Sequence, residues 1–222
     1  MKTRSLKAVN NSGITLIEVL VVFGVLLVLA ALLLPTLGRA RINGPPGVCI
    51  NNQRQMAIGF KMFADDNGGK YPWQIQSAAD SRVEATTSPL VSQHFKNAAP
   101  YFGGQAVYLC PTETLRHLAT NIADLTDQNV SYFLDFDAVT NSASSILTGD
   151  RHLLLNGEPV GPGLRVVTSK AVLGWTRELH PKDRQPRGFL SFTDTHAEGR
   201  FDAKLTEAFR RQGLRAVRLA LP

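Results

Sequence analysis

Few side chains in this chain could do chemistry. Glu18 is the single charge inside an apolar run over residues 14–34. A carboxylate in such a segment is expensive, so it marks a functional position. Cys49 and Cys110 are the only cysteines, an even number that allows one disulfide in an exported domain and two buried thiols otherwise. His152, His180 and His196, with Asp150 and Asp194, are the side-chain types of a divalent-metal hydrolase. No H-x-H or H-E-x-x-H spacing joins them, and no G-x-S-x-G nucleophile motif is present, so no catalytic residue is assigned and the chain reads as a non-enzyme. Asp65, Asp66, Asn67 and Asp194 are oxygen donors of the type a structural calcium ion takes. Asp-Asn-Gly is equally an ordinary helix stop. Arg210, Arg211, Arg215 and Arg218 gather near the C-terminus. Only Phe209 interleaves with them as a stacking ring, so they read as a solvated helix face and nucleic acid is not an expected partner.

These residues need elements to hold them. As a helix the apolar run is about 30 Å long, enough to cross a bilayer's hydrocarbon core. Lys2, Arg4 and Lys7 precede it with no acidic residue. The positive-inside rule then keeps the N-terminus in the cytoplasm and exports the rest of the chain. A first helix is expected over 14–42, bent or locally melted at Pro35. Asn43-Gly44-Pro45-Pro46-Gly47 should stop it and act as a hinge over 43–47. A second helix restarts near Val48 and reaches about Asp65. Its Cys49, Gln53, Met56, Phe60 and Phe63 recur at three-to-four-residue spacing and should face a core.

The remainder, residues 48–222, reads as one globular head. Strands are expected over 106–110, 130–136, 146–148, 171–175, 188–192 and 197–201, the last two forming a hairpin around Asp194-Thr195-His196. Short helices are expected over 88–96 and 206–212, and a strand after the second of these. A polar loop covers 74–99, and 115–125 is a short helix or a loop. Strands concentrated after an N-terminal helix give an α+β fold with an antiparallel sheet. The formal net charge of +6 includes three charges from residues 1–13, leaving 6 − 3 = +3 for the rest. The basic balance therefore says little about partners.

The N-terminus admits two plain readings, a cleaved secretory signal peptide and an uncleaved signal anchor. The apolar run is too long, and Glu18 too charged, for the first. The second leaves Gly13 and Glu18 without a role. Gly13-Ile14-Thr15-Leu16-Ile17-Glu18-Val19-Leu20 closely resembles the processing site of type IV prepilins and type II secretion pseudopilins. The resemblance implies a leader, residues 1–13, cut after Gly13 by a prepilin peptidase, and N-methylation of Ile14, which stands where Phe is commoner. It also implies a transmembrane and assembly helix over 14–42, with Pro35 where many pilin helices carry a proline. Glu18 would serve assembly, pairing with the new ammonium group of a neighbouring subunit.

Three further stretches extend the resemblance, CINNQRQMAIGFKMFADDNGGKYPW after the hinge, and Ile146-Leu147-Thr148-Gly149-Asp150-Arg151 and Phe192-Thr193-Asp194-Thr195-His196 late in the chain. They look like a pseudopilin-like subgroup common in planctomycete and verrucomicrobial sequences. The late motif departs from the subgroup, with Thr195 in place of Gly and His180 farther upstream than usual. Some pseudopilin heads bind calcium, which is the implied cofactor if there is one. The implied protein is a filament subunit in a bacterial inner membrane. It would pass once through the bilayer, hold its head in the periplasm or outside, and join a pilus or secretion filament. The alternative is a periplasmic binding or enzymatic domain on an uncleaved tether.

Overall fold

The computed structural model describes residues 15–40, 45–75, 90–181 and 185–222. Gly13 and Ile14, and with them the expected processing site, lie outside the described residues, as do Asn43 and Gly44 of the expected hinge. The chain divides into two compact units, Met1–Asn43 and Gly44–Pro222.

The first unit contains helix α1, Leu16–Ala40. Thr15 and Glu18 start it as a capping box. The Thr15 backbone amide and hydroxyl both donate to Glu18 Oε2, at 2.8 and 2.9 Å, and the Glu18 amide faces Thr15 Oγ1 at 3.4 Å. Free amides at a helix start are thereby satisfied by the residues that begin it. α1 runs through Pro35 without the expected melting, since proline removes one amide donor from the helix but does not oblige it to end. Every described side chain from Leu16 to Ala31 is exposed. Among the described residues no helix is long and apolar enough to cross a membrane. The stretch of α1 with described side chains stops at Ala31, about 24 Å of helix.

The second unit begins with α2, Pro45–Asp66. It starts three residues earlier than the expected restart at Val48. Pro45 and Pro46 fall in the first turn, where a missing amide hydrogen costs nothing and the fixed φ already suits a helix. The expected apolar stripe is the buried face: Cys49, Gln53, Met56 and Phe60 are fully buried and Phe63 nearly so. α2 ends where Asn67 Nδ2 donates to the Phe63 carbonyl and Gly68 and Gly69 take positive φ, the Gly69 amide reaching back to Ala64.

Among the described residues the strands are β1 Tyr132–Asp135, β2 Ile146–Asp150, β3 Leu153–Leu155, β4 Glu158–Pro159, β5 Gly163–Thr168, β6 Leu173–Trp175, β7 Arg187–Phe192, β8 Ala197–Phe201 and β9 Ala216–Leu221. Six form an antiparallel sheet in the order β5-β9-β1-β2-β7-β8, and three a small sheet in the order β4-β3-β6. The fold is α+β with an antiparallel sheet. Alternation along each strand divides the core into two layers. Tyr132, Leu134, Leu147, Phe189 and Ala220 pack with α2 and with α3, Val91–Asn97. Phe133, Ile146, Leu190, Phe192 and Leu219 pack on the other face with α4, Asp202–Arg211, and the small sheet. Gly149 has no side chain because one would run into Phe133 and Leu190, at 2.6 and 2.5 Å from an added Cβ. The expected strand over 106–110 is instead a 3-10 turn, Gln105–Tyr108. Asn52 on α2 explains the difference. Its side-chain amide donates to the carbonyls of Ala106 and Leu109, taking backbone acceptors that a strand would give to a neighbour.

Candidate functional site

A buried polar cluster of the second unit lies where α2 meets β2 and β7. Cys49, on the first turns of α2, is joined to Cys110 just after the 3-10 turn, with Cα atoms 5.3 Å apart. Closing a loop of 61 residues, the bond stabilises the fold by about 4 kcal/mol in the chain-entropy account. Asn52 fixes the same two segments independently, through Ala106 and Leu109.

Around the sulfurs stands a chain of partners. Thr112 Oγ1 lies 3.0 Å from Cys110 Sγ and 3.5 Å from His180 Nδ1. His180 Nε2 lies 3.2 Å from Asp150 Oδ2. The Phe189 amide donates to the same oxygen at 2.9 Å, and Gln53 Nε2 lies 3.5 Å from Oδ1. A carboxylate only accepts, so Nε2 of His180 is the donor to Asp150, and Nδ1 is the ring nitrogen that faces Thr112. The Phe189 ring meets the His180 ring edge-to-face at 5.2 Å and fixes its plane. Cys49, Cys110, Asp150 and His180 are all at least 95 % buried. Among the described residues, Cys49, Cys110 and His180 are the group of His, Cys, Asp and Glu side chains close enough to share an ion, their ligand atoms lying within 4.8 Å of one another.

The other histidines and acids named from the sequence sit elsewhere. His152 Nε2 approaches Glu178 Oε2 to 2.5 Å. Burial, with the Arg151 charge beside it, lowers the pKa of His152 to about 3, so the ring is neutral and the contact is not an ion pair. Arg151 instead pairs with Glu113 through Nε and Nη2, at 3.1 and 3.2 Å. Burial alone would raise the Glu113 carboxyl, but the Arg151 bonds and charge win and hold it below its usual range. His196 stacks on Phe192 at 4.2 Å and contacts Asp194 in the exposed turn between β7 and β8.

The calcium candidates have partners of their own. Asp65 pairs with Lys61, Asp66 accepts from the Tyr101 hydroxyl, and Asn67 caps α2. Three of the four C-terminal arginines are likewise engaged: Arg218 with Asp137, Arg211 with Glu207, and Arg210 with the Ser169 carbonyl.

Sequence reasoning missed three roles. The Thr15-x-x-Glu18 spacing is itself a capping-box signature and was legible. Arg116 is buried and donates to the carbonyls of Asp127, Val130 and Pro222, organising the loop before β1. Nothing in its surroundings in the sequence marks it. Asn52 and Gln53 were legible as polar residues on an apolar helix stripe, but their partners lie more than fifty residues away. Compared with known proteins, the chain matches no family model, and neither a curated protein nor a solved structure matches it.

Proposed function

We propose that the chain is a structural subunit, pilin or pseudopilin, of a type IV pilus or type II secretion-like filament. Prepilin peptidase cuts it after Gly13 and Ile14 is methylated. The helix first sits in the bacterial inner membrane, with the head in the periplasm or outside, and then packs against the helices of other subunits. One observation carries this reading. From Leu16 to Ala31, α1 is apolar on all sides and exposed throughout, with Glu18 as the one charge. A helix without a polar face needs lipid or other helices around it. A lone carboxylate in such surroundings needs a cationic partner, and an α-ammonium on Ile14 of a neighbour supplies one while fixing axial register. Catalysis plays no part in this role, and the head serves as the exported, disulfide-stapled body of the subunit.

A second reading is an uncleaved tether for a periplasmic domain. The Thr15–Glu18 capping box favours it, because the box gives Glu18 a role inside its own helix. Glu18→Gln separates the two. Glutamine keeps an oxygen for Thr15 but carries no charge. For a filament subunit, membrane-fraction levels of Glu18→Gln equal wild type while its yield in sheared filaments falls at least tenfold. Equal yields in both fractions refute the assembly role of the charge.

A further inference from the structure

The cluster of Cys49, Cys110 and His180 combines two chemistries that exclude one another at any moment, sulfur–sulfur bonding and metal ligation. We propose that it has two states: the disulfide, and, after two-electron reduction, a Cys2His site for a borderline divalent ion of the zinc type.

The geometry requires little movement. A tetrahedral zinc ion, with bonds of about 2.3 Å to sulfur and 2.0–2.1 Å to nitrogen, spaces its ligand atoms about 3.3–3.8 Å apart. The three ligand atoms here already lie within 4.8 Å, so the sulfurs part and the imidazole closes in by roughly an ångström. The Cα separation of 5.3 Å serves either state. The two cysteine-bearing segments do not depend on the sulfur bond to stay together, because Asn52 ties α2 to Ala106 and Leu109.

The ligand that decides the matter is His180. Its Nε2 is committed to Asp150, which the Phe189 amide and Gln53 hold in turn. A carboxylate behind a histidine orients the ring and raises the basicity of the nitrogen left free, here Nδ1. Thr112 Oγ1, 3.0 Å from Cys110 Sγ and 3.5 Å from His180 Nδ1, stands where it or a water takes the fourth position. Two thiolates neutralise a divalent charge, so the buried ion adds no net charge to a low-dielectric interior. Sulfur and imidazole donors select zinc, cobalt or cadmium over calcium and magnesium.

The step balances. A dithiol reductant gives two electrons and two protons to the Cys49–Cys110 bond and becomes a disulfide itself. The metal then displaces the two thiol protons to solvent. The link between α2 and the Cys110 segment thus survives in reducing and in oxidising surroundings alike.

The test uses the full chain in detergent, reduced with a phosphine under argon and titrated with cobalt(II). One cobalt binds per chain with thiolate-to-cobalt charge-transfer absorption, and zinc displaces it. The oxidised chain binds none. His180→Ala weakens binding at least tenfold, and Asp150→Asn does so ten- to a hundredfold. X-ray absorption on the zinc-loaded wild type needs no substitution and shows two sulfur ligands and one imidazole. Cobalt bound without sulfur absorption, a zinc shell lacking the imidazole, or thiols that take up metal only after the head has unfolded overturns the proposal.

Discussion

Both hydrogen bonds from Thr15, its backbone amide at 2.8 Å and its hydroxyl at 2.9 Å, end on the same oxygen of Glu18. The one charge of the apolar run over residues 14–34 is therefore also the cap of α1. Removing a cap of this kind costs about 1 kcal/mol, roughly fivefold in the opening of the first turn. Amide exchange at residues 16–18 in detergent micelles should rise about fivefold in Glu18→Ala and stay near wild type in Glu18→Gln. Equal exchange in the two variants contradicts the cap.

His152 and Asp135 oppose each other in pH dependence. Burial, with Arg151 nearby, lowers His152 from 6.5 to about 3. Its unfolded form binds a proton between those values and its folded form does not, so its contribution is lost as pH falls from 6.5 towards 3. Asp135 is fully buried, and burial raises it from 3.8 to about 7 despite bonds from the Asp137 amide and Gln212 and the nearby Arg218 charge. Its folded form keeps a proton that the unfolded form has lost, so its contribution disappears as pH rises from about 4 to about 7. Between pH 4 and 6.5 the two slopes cancel. In Asp135→Asn, urea midpoints should climb with pH across that window. In His152→Gln they should fall, each change being on the order of a few kcal/mol. Parallel pH profiles in wild type and both variants contradict this account.

Thr195 holds φ at 73° in the turn between β7 and β8, with its amide donating to the Phe192 carbonyl. A threonine there is strained by about 1–2 kcal/mol, and glycine, costlier in the unfolded state, recovers part of it. Thr195→Gly should raise stability by about 0.5–1 kcal/mol in chemical denaturation. A destabilised variant contradicts the strain.

The sequence revealed what periodicity encodes and missed what distant partners impose. The α2 stripe from Cys49 to Phe63 and the hairpin ending at Phe201 follow from spacing alone, because their burial is regular. β5 was not anticipated. It lies at the sheet edge, where Arg165 and Val166 are both exposed and alternation fades. β3 and β4 were not anticipated either, although the Asn156-Gly157 pair between them is a hairpin-turn signal, and the two residues take φ of 53° and 89°. The candidate site was half legible. The two cysteines suggested a bridge, but bringing His180 and Asp150 to them depends on β2, β7 and the segment after β6 meeting at one point.

The central claim, that this is a processed filament subunit, is tested most directly by the intact mass of the protein taken from its native membrane. The account predicts a chain lacking residues 1–13 and carrying one methyl group on the amine of Ile14, with two hydrogens missing for the Cys49–Cys110 bond. An uncut chain, or one whose N-terminus lies beyond α1, contradicts it.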